Sequence, residues 1–158
     1  MADSVPIYGV SIQELLTSIG SDDVSPGAGT AGAVAVALAA ACAHKAASVS
    51  LKHRPDDAEL QAALTTFQAI ERQALTEGER DAEAFSALIH ERSLAAVNRL
   101  ICEEERLGHL ITKLTGTIDA IAPRIQANMS GDIVAAKALV EAGQRIQDRN
   151  EAETLKLR

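Results

Sequence analysis

Asp81 is the residue that most needs explaining. Around it, Leu60, Leu64, Phe67, Ile70, Ala74, Gly78, Asp81, Phe85 and Leu88 recur at three- and four-residue steps, the spacing of one helix face. A carboxylate inside an apolar stripe is costly unless it is paired, hydrogen-bonded or lining a wet pocket. Two readings follow with equal weight: a group at the edge of the stripe bonded to a neighbouring helix, or a catalytic acid or base with a shifted pKa. Gly78, one turn earlier on the same stripe, would let a backbone or a ligand come close.

The second candidate is Pro26-Gly27-Ala28-Gly29-Thr30, a loop that runs into a helix. Its glycines permit close approach to a ligand, and a helix N-terminus favours an anion. A plain loop before a helix is the commoner meaning of two glycines. No Gly-Lys-Ser/Thr follows and no strand precedes, so neither a Walker loop nor a dinucleotide fingerprint is present. His44, His53, His90 and His109 have no three- or four-residue pairing, and no Cys-x-x-Cys exists, so no metal site is expected. Glu103-Glu104-Glu105 reads as surface charge, and His90, beside Glu91 and Arg92, as a solvated face.

These residues need helices to hold them. Ser11-Ile-Gln-Glu14 is a capping-box pattern opening a short amphipathic helix (Ile12, Leu15, Leu16, Ile19) that stops at Gly20. A second helix is expected from about Thr30 to Leu51, apolar on every side in its first half and therefore buried all round. Its polar end carries His44, Lys45, Ser48 and Lys52. Arg54-Pro55-Asp56-Asp57 separates it from a third helix, over about 56 to 95, which if unbroken is ~60 Å long. Leu100, Leu107, Ile111, Leu114, Ile118 and Ile121 mark a fourth helix, with a candidate interruption at Thr115-Gly116-Thr117 and an end near Pro123. Asn128–Gly131 reads as a turn. Asp132 then opens a last helix with Ala135, Leu139, Ala142 and Ile146 inward, and residues 151–158 read as a frayed tail.

Composition agrees with an all-α protein. The chain has 158 residues, 30 of them alanine, and only 2% aromatics, a mixture that favours helices over strands. The expected architecture is one domain over 1–158, an antiparallel bundle of about five or six helices with a buried Ala-rich helix and one long helix. A net charge of −7 makes nucleic acid an unsuitable partner. Two cysteines, Cys42 and Cys102, suggest no disulfide framework and fit a reducing cytoplasm. The uncharged run Ala28–Ala43 spans 16 residues, short of the ~18–20 needed to cross a membrane, and it follows Asp22 and Asp23 rather than basic residues.

Three segments together resemble the cyclodeaminase/cyclohydrolase family of folate one-carbon enzymes. Pro26-Gly27-Ala28-Gly29-Thr30-Ala31-Gly32-Ala33-Val34-Ala35 is similar to the family's Pro-Gly-Gly-Gly-Ser loop and Ala/Gly-rich helix, with Ala28 and Thr30 as departures. Asp81-Ala82-Glu83-Ala84-Phe85 resembles its Asp-Ala-x-Ala-Phe motif. Ser130-Gly131-Asp132 before an Ala-rich helix reaching Asn150 resembles its Ser-Asp turn, with Gly131 displacing the Asp. The resemblance implies an all-α homodimer acting on a tetrahydrofolate derivative as substrate, with no metal or other cofactor. The reaction would be hydrolysis of a 5,10-methenyl bridge or cyclisation of a 5-formimino group with loss of ammonia.

It also implies roles. Asp81 would be the catalytic acid/base, and Pro26, Gly27, Gly29 and Thr30 would line the substrate, with Asp132 at the turn. Lys45, Lys52, His53 and Arg54 would be the nearest cations for the folate's glutamate carboxylates, though a solvated helix end explains each as well. The stretch from Phe85 to Ser130 is shorter than the family pattern. That shortening keeps a second expectation alive, a catalytically inactive relative serving as a folate-binding or helical interaction protein. Composition by itself allows a third, a generic helical dimerisation module.

Overall fold

The computed structural model describes residues 9–158, so the first eight residues of the expected domain lie outside it. Five helices follow in order: α1 (Ile12–Ile19), α2 (Ala28–Leu51), α3 (Ala58–Glu91), α4 (Leu94–Ile121) and α5 (Ser130–Leu155). Two short 3-10 turns, Ala122–Arg124 and Ala127–Met129, join the last two. Among the described residues there is no strand.

Each boundary has a local cause. The Ser11 hydroxyl accepts the Glu14 N–H, and the Glu14 carboxylate accepts the Ser11 N–H at 2.7 Å, the capping box read from the sequence. Asp57 caps α3 by accepting from the N–H groups of Glu59 and Leu60, and Arg124 pairs with its other oxygen at 3.1 Å. Ser93 caps α4 through the Ala96 N–H. By contrast, Gly27 at the start of α2 offers no side chain, so the first amides of that helix have no cap.

Helices α2, α3, α4 and α5 pack side by side in a closed ring, with short connections that make consecutive helices antiparallel. The main core joins α2 alanines to Phe67 and Ile70 of α3, to Ile111, Leu114 and Ile118 of α4, and to Ala136 and Val140 of α5. A second, smaller cluster of Leu88, Ala96, Val97 and Leu100 holds the far end of the α3–α4 hairpin. Small residues set the α2–α5 spacing: a methyl on Gly143 would lie 2.7 Å from the Val36 side chain, and one on Gly32 would lie 3.0 Å from Ile146. Cys42 and Cys102 are free thiols.

Four details of the fold differ from expectation. Helix α4 runs through Thr115-Gly116-Thr117 unbroken, because the turns on either side are anchored in the core by Ile111, Leu114 and Ile118. Helix α5 buries Ile133, Ala136, Val140, Gly143, Gln147 and Thr154; of the residues expected inward, Leu139 packs half-buried against the core and Ile146 meets Gly32, Ala135 is half-buried, and Ala142 is exposed. Close approach at Gly143 and polar bonds at Gln147 and Thr154 decide its rotation, and an apolar count sees neither. The expected frayed tail is helical to Leu155, and Thr154 is buried.

Helix α2 is the fourth. Burial covers the sides facing α3 and α5 but not all of it: Ala31, Val34, Leu38, Ala41 and Lys45 lie along an outer strip, and Leu38 is 51% exposed. At 24 residues α2 is long and apolar enough to cross a membrane by length and composition alone, beyond the 16-residue uncharged run. Its place between α3 and α5 accounts for that character as a core helix.

Candidate active site

The antiparallel ring brings the start of α2, the later turns of α3, the early turns of α4 and the end of α5 to the same end of the bundle. There the two apolar clusters stop short of each other, and a band of polar side chains fills the interval. Within it lies a cavity of about 150 Å³, walled by Gly27 of the loop, by Ala28 and Gly29 of the first turn of α2 and by Asp81 and Phe85 of α3. Leu100 and Glu104 of α4 and Asn150 and Thr154 of α5 close it.

Asp81 stands against the α2 N-terminus. A methyl group built on Gly29 would collide with the Asp81 carboxylate, so only glycine lets the two come together. The loop is tied to the same helix by Ser25, whose hydroxyl donates to the Ala82 carbonyl at 3.2 Å, and the Ser25–Pro26 bond is cis. Burial and then the charge of nearby Glu103 push the Asp81 carboxyl up to about 6.

Glu104 was expected on the surface and is not. It is 3% exposed, because it sits on the buried face of α4 between Leu100 and Leu107. Thr154 donates to its Oε1 at 2.7 Å, and Gln147 donates to its backbone carbonyl at 2.6 Å. Its Oε2 is buried without a partner among the described residues. Burial comes first and the charges of Asp81 and Glu151 add to it, against the Thr154 hydrogen bond, raising the Glu104 carboxyl to about 7. The signal that could have found Glu104 is the one that found Asp81: a charged residue in register with an apolar stripe. The acidic run around it concealed the register.

The other anticipated residues divide. Gly27 and Gly29 join Asp81 in the cavity wall, and Pro26 adjoins it. Thr30 is 1% exposed, in the first turn of α2, with no partner for its hydroxyl among the described residues. Lys45, Lys52, His53, Arg54 and Asp132 lie at the opposite end of the bundle. Lys45 is sixteen residues from Gly29 along α2, which is about 24 Å, and it pairs with Asp132 at 3.4 Å. A single subunit therefore does not gather those cations around Asp81. No Lys, Arg or His among the described residues lines the cavity. No group of three or more His, Cys, Asp or Glu among them is arranged to hold a metal ion.

A sequence model of formiminotransferase-cyclodeaminase matches residues 11–104, more than half of the chain and all of the cavity wall that precedes α5. The chain belongs to the formiminotransferase-cyclodeaminase family. Its fold is similar to that of a formiminotetrahydrofolate cyclodeaminase from Thermotoga maritima. The likeness has a TM-score of 0.89 at 18% identity and covers 94% of this chain and 79% of that one. No curated protein sequence matches it. The family match takes in the glycine loop and Asp81 and ends at Glu104, while the α5 contribution to the cavity rests on the fold.

Proposed function

We propose that this family member is a folate one-carbon enzyme, either a 5,10-methenyltetrahydrofolate cyclohydrolase or a formiminotetrahydrofolate cyclodeaminase, with Asp81 as acid/base. One observation carries the reading. Among the described residues the cavity is lined by the buried Glu104 and the half-buried Asp81 and by no cationic side chain, so it suits the positively charged one-carbon group that both reactions present. The reactive carbon would enter beside Gly29 and Asp81, with the rest of the folate extending outside a cavity of about 150 Å³. The tetrahydrofolate derivative is the substrate, and the chemistry calls on proton transfer rather than a metal.

The companion proposals are a homodimer and a cytoplasmic location. The strip on α2 supports the dimer: it is apolar, exposed and centred on Leu38. Two copies crossing antiparallel there would set the Lys45 end of one α2 beside the Gly29 end of the other. That arrangement would return cations to the folate tail.

The test is the loss of methenyltetrahydrofolate absorbance, or ammonia release from the formimino substrate, with purified protein. Wild type should exceed the spontaneous rate, and Asp81→Asn should lower the enzymatic rate by about 10²-fold or more with the helical signal unchanged. A wild-type rate no faster than buffer, near neutral pH, would sink the enzymatic reading. Folate binding by calorimetry without turnover would then favour the inactive folate-binding relative.

A further inference from the structure

We propose that Glu104 is the proton donor of this site and Asp81 its proton acceptor, the two carboxyls working as a pair that carries one proton. The inference rests on the one-carbon reading above and adds a second group to it. Its ground is geometric. The two carboxyls come from different helices and line the same cavity. Glu104 is the deeper, with Oε1 fixed by Thr154 and Oε2 buried and unpartnered, an oxygen that can hold a proton and pass it to whatever occupies the cavity. Asp81 is only partly buried and rests on the N-terminus of α2, which has no side-chain cap and whose dipole favours a negative charge.

Among the described residues, nothing nearby would neutralise both. The charged groups acting on Glu104 are Asp81 from α3 and Glu151 from α5, and α2 presents only Gly29 and Ala28. Glu103, next to Glu104 on α4, acts on Asp81 and is itself held by Arg106 at 3.0 Å. On α3, Arg80 pairs with Glu77 at 3.1 Å. Glu153 at the cavity rim is held by Arg149 at 2.7 Å and Lys156 at 3.0 Å. Two carboxyls that line one cavity, with no cation between them among the described residues, keep one proton.

The ammonia-releasing reaction uses that state in two steps. The attacking ring nitrogen forms a bond to the formimino carbon and gives its proton to Asp81. The bond from that carbon to the amino nitrogen then breaks, and this nitrogen takes the Glu104 proton and leaves as NH3. One proton has been gained by Asp81 and one lost by Glu104, so a single transfer between them restores the pair.

The experiment is a pH profile of kcat/KM for wild type, Glu104→Gln and Thr154→Val, alongside NMR titration of the side-chain carboxyls in the free protein. Wild type should rise with ionisation of Asp81 and fall with ionisation of Glu104. Glu104→Gln should lose the falling limb and about 10²-fold in rate. Thr154→Val keeps the acid but removes a bond to its ionised form, so the falling limb should move to higher pH. In the titration, Asp81→Asn should lower the Glu104 midpoint, whereas Glu104→Gln should leave Asp81 nearly unmoved because Gln imitates the protonated acid. A Glu104→Gln protein with the wild-type rate and both limbs overturns the proposal. So does a Glu104 midpoint indifferent to Asp81→Asn. If no variant, wild type included, turns over, the one-carbon reading has failed, and the NMR titration alone decides whether the pair exists.

Discussion

At the residue scale, the site costs the protein stability. Asp81 titrates near 6 and Glu104 near 7, above their ordinary 3.8 and 4.5. The native chain therefore binds more protons than the unfolded chain across that interval. Stability contributed by the two acids is fully present below the ordinary carboxylate range and is lost as pH rises through 6 and 7. Thermal melts should show wild type losing stability between pH 5 and pH 8, while Asp81→Asn and Glu104→Gln lose less. At pH 8 each should exceed wild type by on the order of 2 kcal/mol. Gly29 is the steric counterpart. Gly29→Ala should displace the Asp81 carboxylate and cut turnover by about 10²-fold while leaving the helical signal in place, and an unimpaired Gly29→Ala enzyme would argue against the close packing described.

At the element scale, the α2–α5 contact is the sensitive one, since α5 carries Gln147 and Thr154 to Glu104. A methyl at Gly143 meets Val36, and the Gly32 carbonyl lies 3.4 Å from the same position. Neither neighbour can swing aside freely inside a packed ring. Gly143→Ala should destabilise by about 1–3 kcal/mol, read in urea unfolding, and should also disturb the Glu104 titration. A fall in stability with an unchanged titration would mean that α5 absorbs the strain without moving its end. The rotation of α5 is where apolar periodicity was only partly right. Of Ala135, Leu139, Ala142 and Ile146, the face expected inward, Leu139 and Ile146 flank the buried side and Ala142 is exposed; the side with the glycine packs closer and satisfies a buried acid. Helix spans were legible because caps and stripes are local; α5's rotation was not, because it is set by α2 and α4.

At the scale of the whole molecule, α1 and the outer strip of α2 leave apolar groups uncovered. Ile12 is 77% exposed and Leu38 51%. Helix α1 buries none of its own residues. If the dimer forms through the α2 strip, light scattering should give twice the 16.6 kDa chain mass. Leu38→Asp should then return a folded monomer, and its effect on turnover would tell whether the partner's end of α2 serves the substrate. A wild-type monomer at tens of micromolar would remove the dimer, leaving the exposed strip unexplained.

The sequence by itself determined the helices, the all-α class, the glycine loop and Asp81. Each is written in short-range terms, as a period, a cap or a charge in an apolar row, and the family motifs lie in the same stretches. Only the tertiary structure decided what meets what. It joined the loop to Asp81 across 52 positions of chain, buried one glutamate of an acidic run, and sent the anticipated cations to the far end of the bundle. Packing of antiparallel helices fixes which turns share a level, and that level depends on every connection at once. The second acid of the site became visible only there.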